Sequence, residues 1–336
     1  MRTGVIDVGS NTVRLMVADV EGGAPLPVHT AKVRLRLAEQ LGESRELPPT
    51  ALAALTEAVA SVRAQSERWG APEPFAFATA VVRDAPNRDE VLHAVRQDTG
   101  IRLHVLPGEV EAELTFLGAR RWMGWRAGSL AMLDIGGGSL EVAVGRGRLP
   151  EFAVSLPLGA GRLTREYCNN SEDPPPKKAL RAMRRAVRHQ LRDVAARVRW
   201  ESPRTSVASS RTFQQLARLC GAPAGRHGPF TPRELSRDDL AVAVKRLASL
   251  PASGRAKLRG ISAARAKQSL AGALVAHTVM ELTGISTVTI SPWAVREGIL
   301  LRQMEDGAGW WPAGASDLAL AETVPRPTEL RVALPS

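Results

Sequence analysis

Two short stretches of this 336-residue chain combine a carboxylate, glycines and small polar residues in a way that suits phosphate chemistry. Residues 131–144 read Ala-Met-Leu-Asp-Ile-Gly-Gly-Gly-Ser-Leu-Glu-Val-Ala-Val: an apolar strand, one Asp, three glycines, then a second apolar strand. Gly136, Gly137 and Gly138 carry no side chain to hold a backbone away from an oxyanion, and successive N–H groups in such a turn form an anion-binding concavity. Asp134 and Glu141 bracket the turn. Two carboxylates beside a phosphate repel it unless a hard cation lies between them. The pair therefore predicts Mg²⁺ or another divalent cation, which bridges carboxylates and substrate oxygens.

Residues 5–15, Val-Ile-Asp-Val-Gly-Ser-Asn-Thr-Val-Arg-Leu, repeat that layout 127 positions earlier. Asp7 matches Asp134, Gly9 matches Gly136, and Arg14 falls where Glu141 does. A repeat on this scale implies two related halves, each offering one phosphate loop to a shared cleft. The last position differs between the copies: a guanidinium suits bidentate phosphate contact, a carboxylate suits metal.

These two motifs resemble the phosphate motifs of the exopolyphosphatase and guanosine pentaphosphate phosphohydrolase family, within the actin, Hsp70 and sugar kinase superfamily. Further segments are similar to family motifs. In Gly108-Glu-Val-Glu-Ala-Glu-Leu114 the match to Gly-x-Glu-Glu-Ala-x-Leu makes Glu111 the catalytic base, with Val110 standing where the family often has another glutamate. The segment 79–87 is similar to a third motif whose arginine, here Arg83, contacts the phosphate chain. Residues 159–164 and 292–298 look like the Gly-x-x-Arg-Leu-Thr and terminal Pro-Trp-Ala-Leu-Arg-Glu-Gly segments, and Arg265 is a further cleft contact. The resemblance implies an α/β chain of two actin-like (ribonuclease H-like) domains facing a central cleft, 1–124 and 125–305. Beyond Asp306 the glycine, alanine and proline content and lost periodicity predict a mostly disordered tail, 306–336, from which Trp310 and Trp311 dock back. The resemblance also implies Mg²⁺-dependent removal of terminal phosphate from polyphosphate, by a chain for which a homodimer is one available form; with only Cys168 and Cys220, a reducing cytoplasm is the expected setting. Gly9, Ser10, Asn11, Arg14, Arg83, Gly136, Gly137, Gly138 and Ser139, with Asp7, would hold phosphoryl oxygens while Asp134 and Glu141 hold the ion. Guanosine pentaphosphate hydrolysis, a kinase, and a low-turnover sensor of polyphosphate or nucleotide are the rivals.

The elements needed to position these groups are readable from periodicity. Residues 28–41 continue the first hairpin, and Leu52, Leu55, Val59 and Val62 mark an amphipathic helix over 51–69. A buried strand from Phe75 hands over to a helix capped by Asn87. The carboxylates at Glu109, Glu111 and Glu113 also suit the first turns of a helix for reasons of macrodipole alone. The stretch 120–128, with Gly124 and Gly128, predicts the inter-domain connection and cleft hinge, and the turn at 159–161 offers N–H donors to a phosphate. Over 177–200, Met183, Val187, Leu191, Val194 and Val198 form an apolar stripe opposite Arg181, Arg184, Arg185, Arg188 and Arg192, a solvated face or a track for a long phosphate polymer.

Bulk composition sets the outer bounds. A length of 336 residues predicts two domains, and 44% hydrophobic with 24% charged residues is ordinary for a globular chain. A net charge of +11 suits a polyanionic partner. Nucleic acid is disfavoured, because neither a helix-turn-helix signature nor an aromatic stacking platform accompanies the basic helix. No leader precedes the first strand and no apolar run reaches membrane length, so neither export nor membrane insertion is expected. Two cysteines exclude a disulfide framework, and the six histidines lack metal-ligand spacing.

Overall fold

Val5, Ile6 and Val8, and across the first hairpin Val13, Leu15 and Val17, are all fully buried. Apolar residues on both faces demand cover on both sides, which is the pattern of a central strand pair between helical layers. The computed structural model describes residues 2–20, 24–42, 44–168, 172–307 and 310–311. Its first sheet has the order β3-β2-β1-β4-β5, with β1 Arg2–Val8, β2 Thr12–Asp19, β3 Leu26–Arg34, β4 Phe75–Ala78 and β5 Leu103–Val105. The first three strands are antiparallel, and β4 and β5 run parallel to β1.

The second sheet repeats this order. It runs β8-β7-β6-β9-β11, extended at one edge by β10, with β6 Leu130–Ile135, β7 Leu140–Gly145, β8 Phe152–Leu156, β9 Thr205–Ala208, β10 Glu234–Ser236 and β11 Thr287–Ile290. The duplicated order and matching strand directions make the chain an α/β fold of two actin-like halves, as expected. Each half has its own core. Helices Pro49–Arg68 and Arg88–Thr99 cover one face of the first sheet. Helices Lys177–Glu201, Arg237–Ala248 and Ala266–Thr283 build the core of the second.

Two helices bind the halves together, and they do so crosswise. Helix Gly108–Met123, which follows β5, sets Phe116 and Ala119 against Leu130, Met132 and Val207 of the second sheet. Helix Val295–Asp306, from the chain's end, sets Ile299 and Leu300 against Val5, Met16 and Phe77 of the first. Each of these large apolar side chains contributes about 1.5–3 kcal/mol by leaving water. The two helices touch where a Cβ added at Gly298 would lie 1.9 Å from the carbonyl oxygen of Leu114, and one at Gly118 would lie 2.6 Å from that of Ala294. Only glycine permits backbones this close.

Some elements depart from the sequence expectation. The strand from Phe75 ends at Ala78, and a single helical turn, Ala80–Arg83, carries Arg83. The expected strand over 28–41 ends at Arg34 and gives way to a turn of helix at Leu37–Gln40. Asn87 does precede its helix, but its side chain makes no cap. Instead its amide accepts from Leu47 N and donates to Leu47 O, both at 3.0 Å, which pins Leu47 as a neighbouring backbone strand would. The stripe of helix Lys177–Glu201 is buried as expected. Trp311 docks, its Nε1 donating to His104 Nδ1 at 3.0 Å beside Phe75; the rest of the expected tail beyond Gly307, Trp310 apart, lies outside the described residues, as does 169–171. Among the described residues no helix is long and apolar enough to cross a membrane.

The glycine crossing makes a stability prediction. Gly298→Ala should destabilise by about 2 kcal/mol or more, because the new methyl overlaps a fixed carbonyl. Gly254→Ala, whose added Cβ meets only ordinary 3.5 Å contacts, should be neutral or slightly stabilising. Thermal melts of the two variants measure the difference; equal melting temperatures would contradict the crossing.

Candidate active site

The strand registers place the charged groups in two rows. Asp7 of β1 stands opposite Arg14 of β2, which stands opposite Lys32 of β3. In the second sheet Asp134 stands opposite Glu141, which stands opposite Ser155. Residues directly opposite in antiparallel strands share a face, so each row is one line of functional groups across three strands. The two hairpin loops meet: a Cβ on Gly137 would come 2.7 Å from that of Ser10, and one on Gly138 2.5 Å from that of Ala80. Between them lies a cleft of about 680 Å³. It brings together Asp7, Gly9, Ser10, Asn11, Arg14, Glu111, Asp134, Gly136, Gly137, Gly138, Ser139 and Arg265. Two expected residues stand behind this wall. Arg83 lines a side cavity with Ser139 and Ser155, and Glu141, 2% exposed, is held by Ser155 Oγ at 2.9 Å.

Four carboxylates converge, and of them only Asp7, with Arg296, and Glu111, with Arg83, form salt bridges among the described residues. Burial raises the pKa of Asp7, against the opposing pull of Arg296 and Arg14. Asp134 is pushed up to about 7 by burial, although the Ser209 hydroxyl donates to it and works the other way; Glu111 and Asp7 add repulsion. Glu141 also rises to about 7, first from burial and then from Asp134. Glu111 is raised well above the usual range by burial and Glu141, with Arg83 opposing. All four are hard oxygen donors. Among the described residues, however, no three His, Cys, Asp or Glu are gathered closely enough to hold an ion unaided. The donor set fits a divalent ion that keeps water and phosphate oxygens in its shell, as Mg²⁺ does.

The cleft is also lined by cations. Arg14, Lys32, Arg211 and Arg265 line the cleft, and none of them forms a salt bridge among the described residues. They act on one another instead. Arg265 is lowered to about 10 by burial and then by Arg14 and Arg211, and Lys32 is lowered by burial and the same arginines. Lys32, Arg211 and Arg296 are cleft residues that the sequence motifs do not single out. Glu297 closes its helix start, accepting from Ala294 N at 2.8 Å, but Arg296 lines the cleft with its Nε 3.7 Å from Asp7. Lys32 could have been found from the hairpin alternation, which carries Arg14's face onto β3. Arg211 and Arg296 follow helix starts whose direction no local pattern reveals.

Backbone bonding decides which loop N–H groups are free for an anion. Gly9 N donates to Thr12 O at 3.0 Å and Gly136 N to Ser139 O at 2.9 Å, so Gly9 is not the N–H donor the sequence suggested. Gly137 and Gly138 have no backbone acceptor among the described residues. The turn at 159–161 does not add donors either. Gly159, Ala160 and Arg162 N–H groups are spent on the carbonyls of Gly138, Gly136 and Gly137, which fastens the loop to the start of helix Ala160–Cys168. Of the three early carboxylates in helix Gly108–Met123, only Glu111 faces the cleft; Glu109 lines the side cavity, and Val110 packs against the apolar cluster of Leu114 and Ile299. That packing accounts for an apolar residue at 110.

Glu111 is oriented through a chain of charges that crosses the cleft. Its Oε2 accepts from Arg83 Nη1 at 3.1 Å, and the same nitrogen donates to Leu106 O at 3.1 Å. Arg83 Nε lies 3.4 Å from Asp84 Oδ1. From the second half, Arg162 Nη1 reaches Asp84 Oδ2 at 3.2 Å, and Arg45 stands at 3.8 Å. Asp84 therefore links Arg83 to Arg162 of the second half.

Comparison with known proteins follows this geometry. The family model of the Ppx/GppA phosphatase family matches residues 16–306. An uncharacterised Streptomyces coelicolor protein is 63% identical over 335 residues, covering 99% of each chain. Exopolyphosphatase 1 of Mycobacterium leprae is 45% identical over 310 residues, 92% of this chain and 91% of that one. Among solved structures, an exopolyphosphatase from Cytophaga hutchinsonii superposes with a TM-score of 0.82 at 22% identity, covering 91% of this chain and 98% of that one. A Ppx/GppA family member from Aquifex aeolicus gives 0.74 at 23% identity over 92% and 99%.

Two outcomes follow from the site. Asp134 and Glu141 have folded-state values near 7, above those of the unfolded chain, so the folded protein binds the extra protons and its stability falls as pH rises from about 4 to about 7. Removing one charge relieves this: Asp134→Asn should melt a few degrees above the unmutated protein at pH 8 without divalent ion, with little difference at pH 4.5. A lower melting temperature at pH 8 would refute the charge imbalance. Asp84→Asn should lower kcat about tenfold with KM nearly unchanged, since it disturbs only how Glu111 is held; an unaltered kcat would remove Asp84 from the arrangement.

Proposed function

The chain belongs to the Ppx/GppA phosphatase family, and on that footing we propose that it is an exopolyphosphatase, hydrolysing the terminal phosphoanhydride of inorganic polyphosphate. The observation that carries this reading is the charge gathered in one cleft: the carboxylates Asp7, Glu111 and Asp134, with Glu141 behind them, beside four cations that form no salt bridge among the described residues, Arg14, Lys32, Arg211 and Arg265. A terminal phosphoryl group with a divalent ion answers the carboxylates. The next phosphates of the chain answer the cations.

In this reading Glu111 accepts a proton from water held against the terminal phosphorus. The oxygen of that water bonds to phosphorus as the bridging P–O bond breaks, and the shortened chain leaves with the electron pair. Arg83 keeps Glu111 in position and opposes the rise of its pKa, which favours the carboxylate form a base needs. Gly137 and Gly138 N–H groups, with Ser10 and Asn11, hold the phosphoryl oxygens. Arg14, Arg265, Lys32 and Arg211 stabilise charge on the departing chain. Asp134 directly, and Glu141 from beneath, would hold Mg²⁺ or a similar ion, which would neutralise the phosphoryl oxygens. Phosphoryl transfer depends on positioning and charge neutralisation, and this site supplies both without a covalent nucleophile.

The test is phosphate release from polyphosphate, guanosine pentaphosphate and ATP in parallel, with and without Mg²⁺. Polyphosphate should be the best substrate, and Glu111→Gln should reduce its turnover by about 10²–10⁴-fold. Full activity in that variant would overturn the base assignment. Preference for guanosine pentaphosphate would move the substrate to the other branch of the family, and binding of polyphosphate without release would make the chain a sensor.

A further inference from the structure

A second cavity, of about 400 Å³, opens off the cleft and shares Arg211, Gln214 and Pro292 with it. Three arginines line it, Arg211, Arg218 and Arg233, and no Asp or Glu does. None of the three takes part in a salt bridge among the described residues. Arg233 spends its guanidinium on the 223–231 loop: Nε donates to Pro223 O at 3.1 Å, Nη1 to Thr231 O at 3.1 Å, and Nη2 to Ala224 O and Gly228 O, each at 2.9 Å. Arg218 likewise donates to Ala222 O at 2.9 Å, and Arg211 has only the side-chain amide of Gln214, at 3.3 Å. Backbone carbonyls satisfy donors but leave the net positive charge intact. This loop is thus folded around cations whose counter-charge the protein does not provide.

We propose that this arginine-lined cavity is a distal subsite of the hydrolytic cleft, occupied by phosphates of the polymer upstream of the group being cleaved. The inference rests on the exopolyphosphatase reading and adds to it a specific route. The polymer leaves the reacting centre past Arg14 and Arg265, turns at Arg211, and enters the space between the 223–231 loop and Gly260. Arg211 is the shared post, since it lines both cavities. A flexible polyanion gains from such a second cluster because each additional phosphate exchanges loosely held counterions for a fixed cation. Substrates too short to reach Arg218 forgo that gain.

Gly225 offers a test outside the machinery of the cleft. It lines the cavity, its φ lies outside the left-handed region, and a Cβ built there meets no atom within 4 Å, so a side chain is accommodated without strain. Gly225→Glu would place a carboxylate among the arginines, and Gly225→Gln is the neutral control of equal size. For long-chain polyphosphate, KM should rise about tenfold in the Glu variant and far less in the Gln variant, a loss of one charge-assisted contact. For tripolyphosphate both variants should match the unmutated protein. The extra KM of the Glu variant on long chains should shrink as salt is raised.

Equal effects on long and short chains, or equal effects of Glu and Gln, would overturn the subsite while leaving exopolyphosphatase activity in place. A rise confined to guanosine pentaphosphate would also overturn it, by assigning the cavity to a nucleoside. If the unmutated protein releases no phosphate from any polyphosphate, the function itself fails, and the comparison of unmutated protein with tripolyphosphate and long chains shows this before any variant is made.

Discussion

The structure depends on holding buried charges in fixed rows where not all of them can pair. Asp7, Glu111 and Asp134 line the cleft with Glu141 behind them; Asp7 meets Arg296 and Glu111 meets Arg83, while Asp134, Glu141, Arg14, Lys32, Arg211 and Arg265 form no salt bridge among the described residues. Desolvated charges without partners cost several kcal/mol, and a flexible protein would relieve the cost by rotating side chains into salt bridges. Here rigid elements prevent that relief. Three charges of one row and two of the other are fixed by antiparallel register, one residue opposite the next, and their side chains cannot exchange faces without breaking the sheet. Under the proposed function, the free energy held in this arrangement is what a bound polyanion would release.

That constraint explains several features that otherwise look unrelated. The Gly136–Gly138 turn is anchored by three bonds from the start of the following helix, which keeps its remaining N–H groups aimed at the cleft. Arg83, Asp84 and Arg162 form a line from the base to the opposite half, so the base is held correctly when the halves are together. The loop around Arg233 continues the same economy on the cationic side, with carbonyls in place of carboxylates.

Much of the site was legible because its parts are local. Asp7 with Arg14, and Asp134 with Glu141, are each joined by a tight hairpin, so spacing alone carries them to adjacent strands on one face. Glu111 was legible through a short helical motif, and the cavity assignments separate it from Glu109 and Glu113. Lys32 was missed although the same alternation reaches it. Arg211 and Arg296 were not readable, because each sits at a helix start brought to the cleft by contacts between distant segments. The misread role of Asn87 has a similar cause: its partner Leu47 lies 40 residues away, and local propensity sees only the adjacent helix. The crosswise helices were invisible for the strongest reason, since Gly118 and Gly298 have no neighbours in sequence that announce their meeting.

That meeting governs how the molecule can move. Two backbones in contact at a pair of glycines can roll over one another about that point, whereas sliding along either axis drives neighbouring side chains into carbonyls. The crossing borders the cleft, whose lining includes Thr115, Ala294 and Arg296, and Trp122 and Trp293 pack with their rings tilted at 54°. Part of one cleft wall is built from the crossing itself, so rolling of the two helices over one another would reshape the space between the glycine loops.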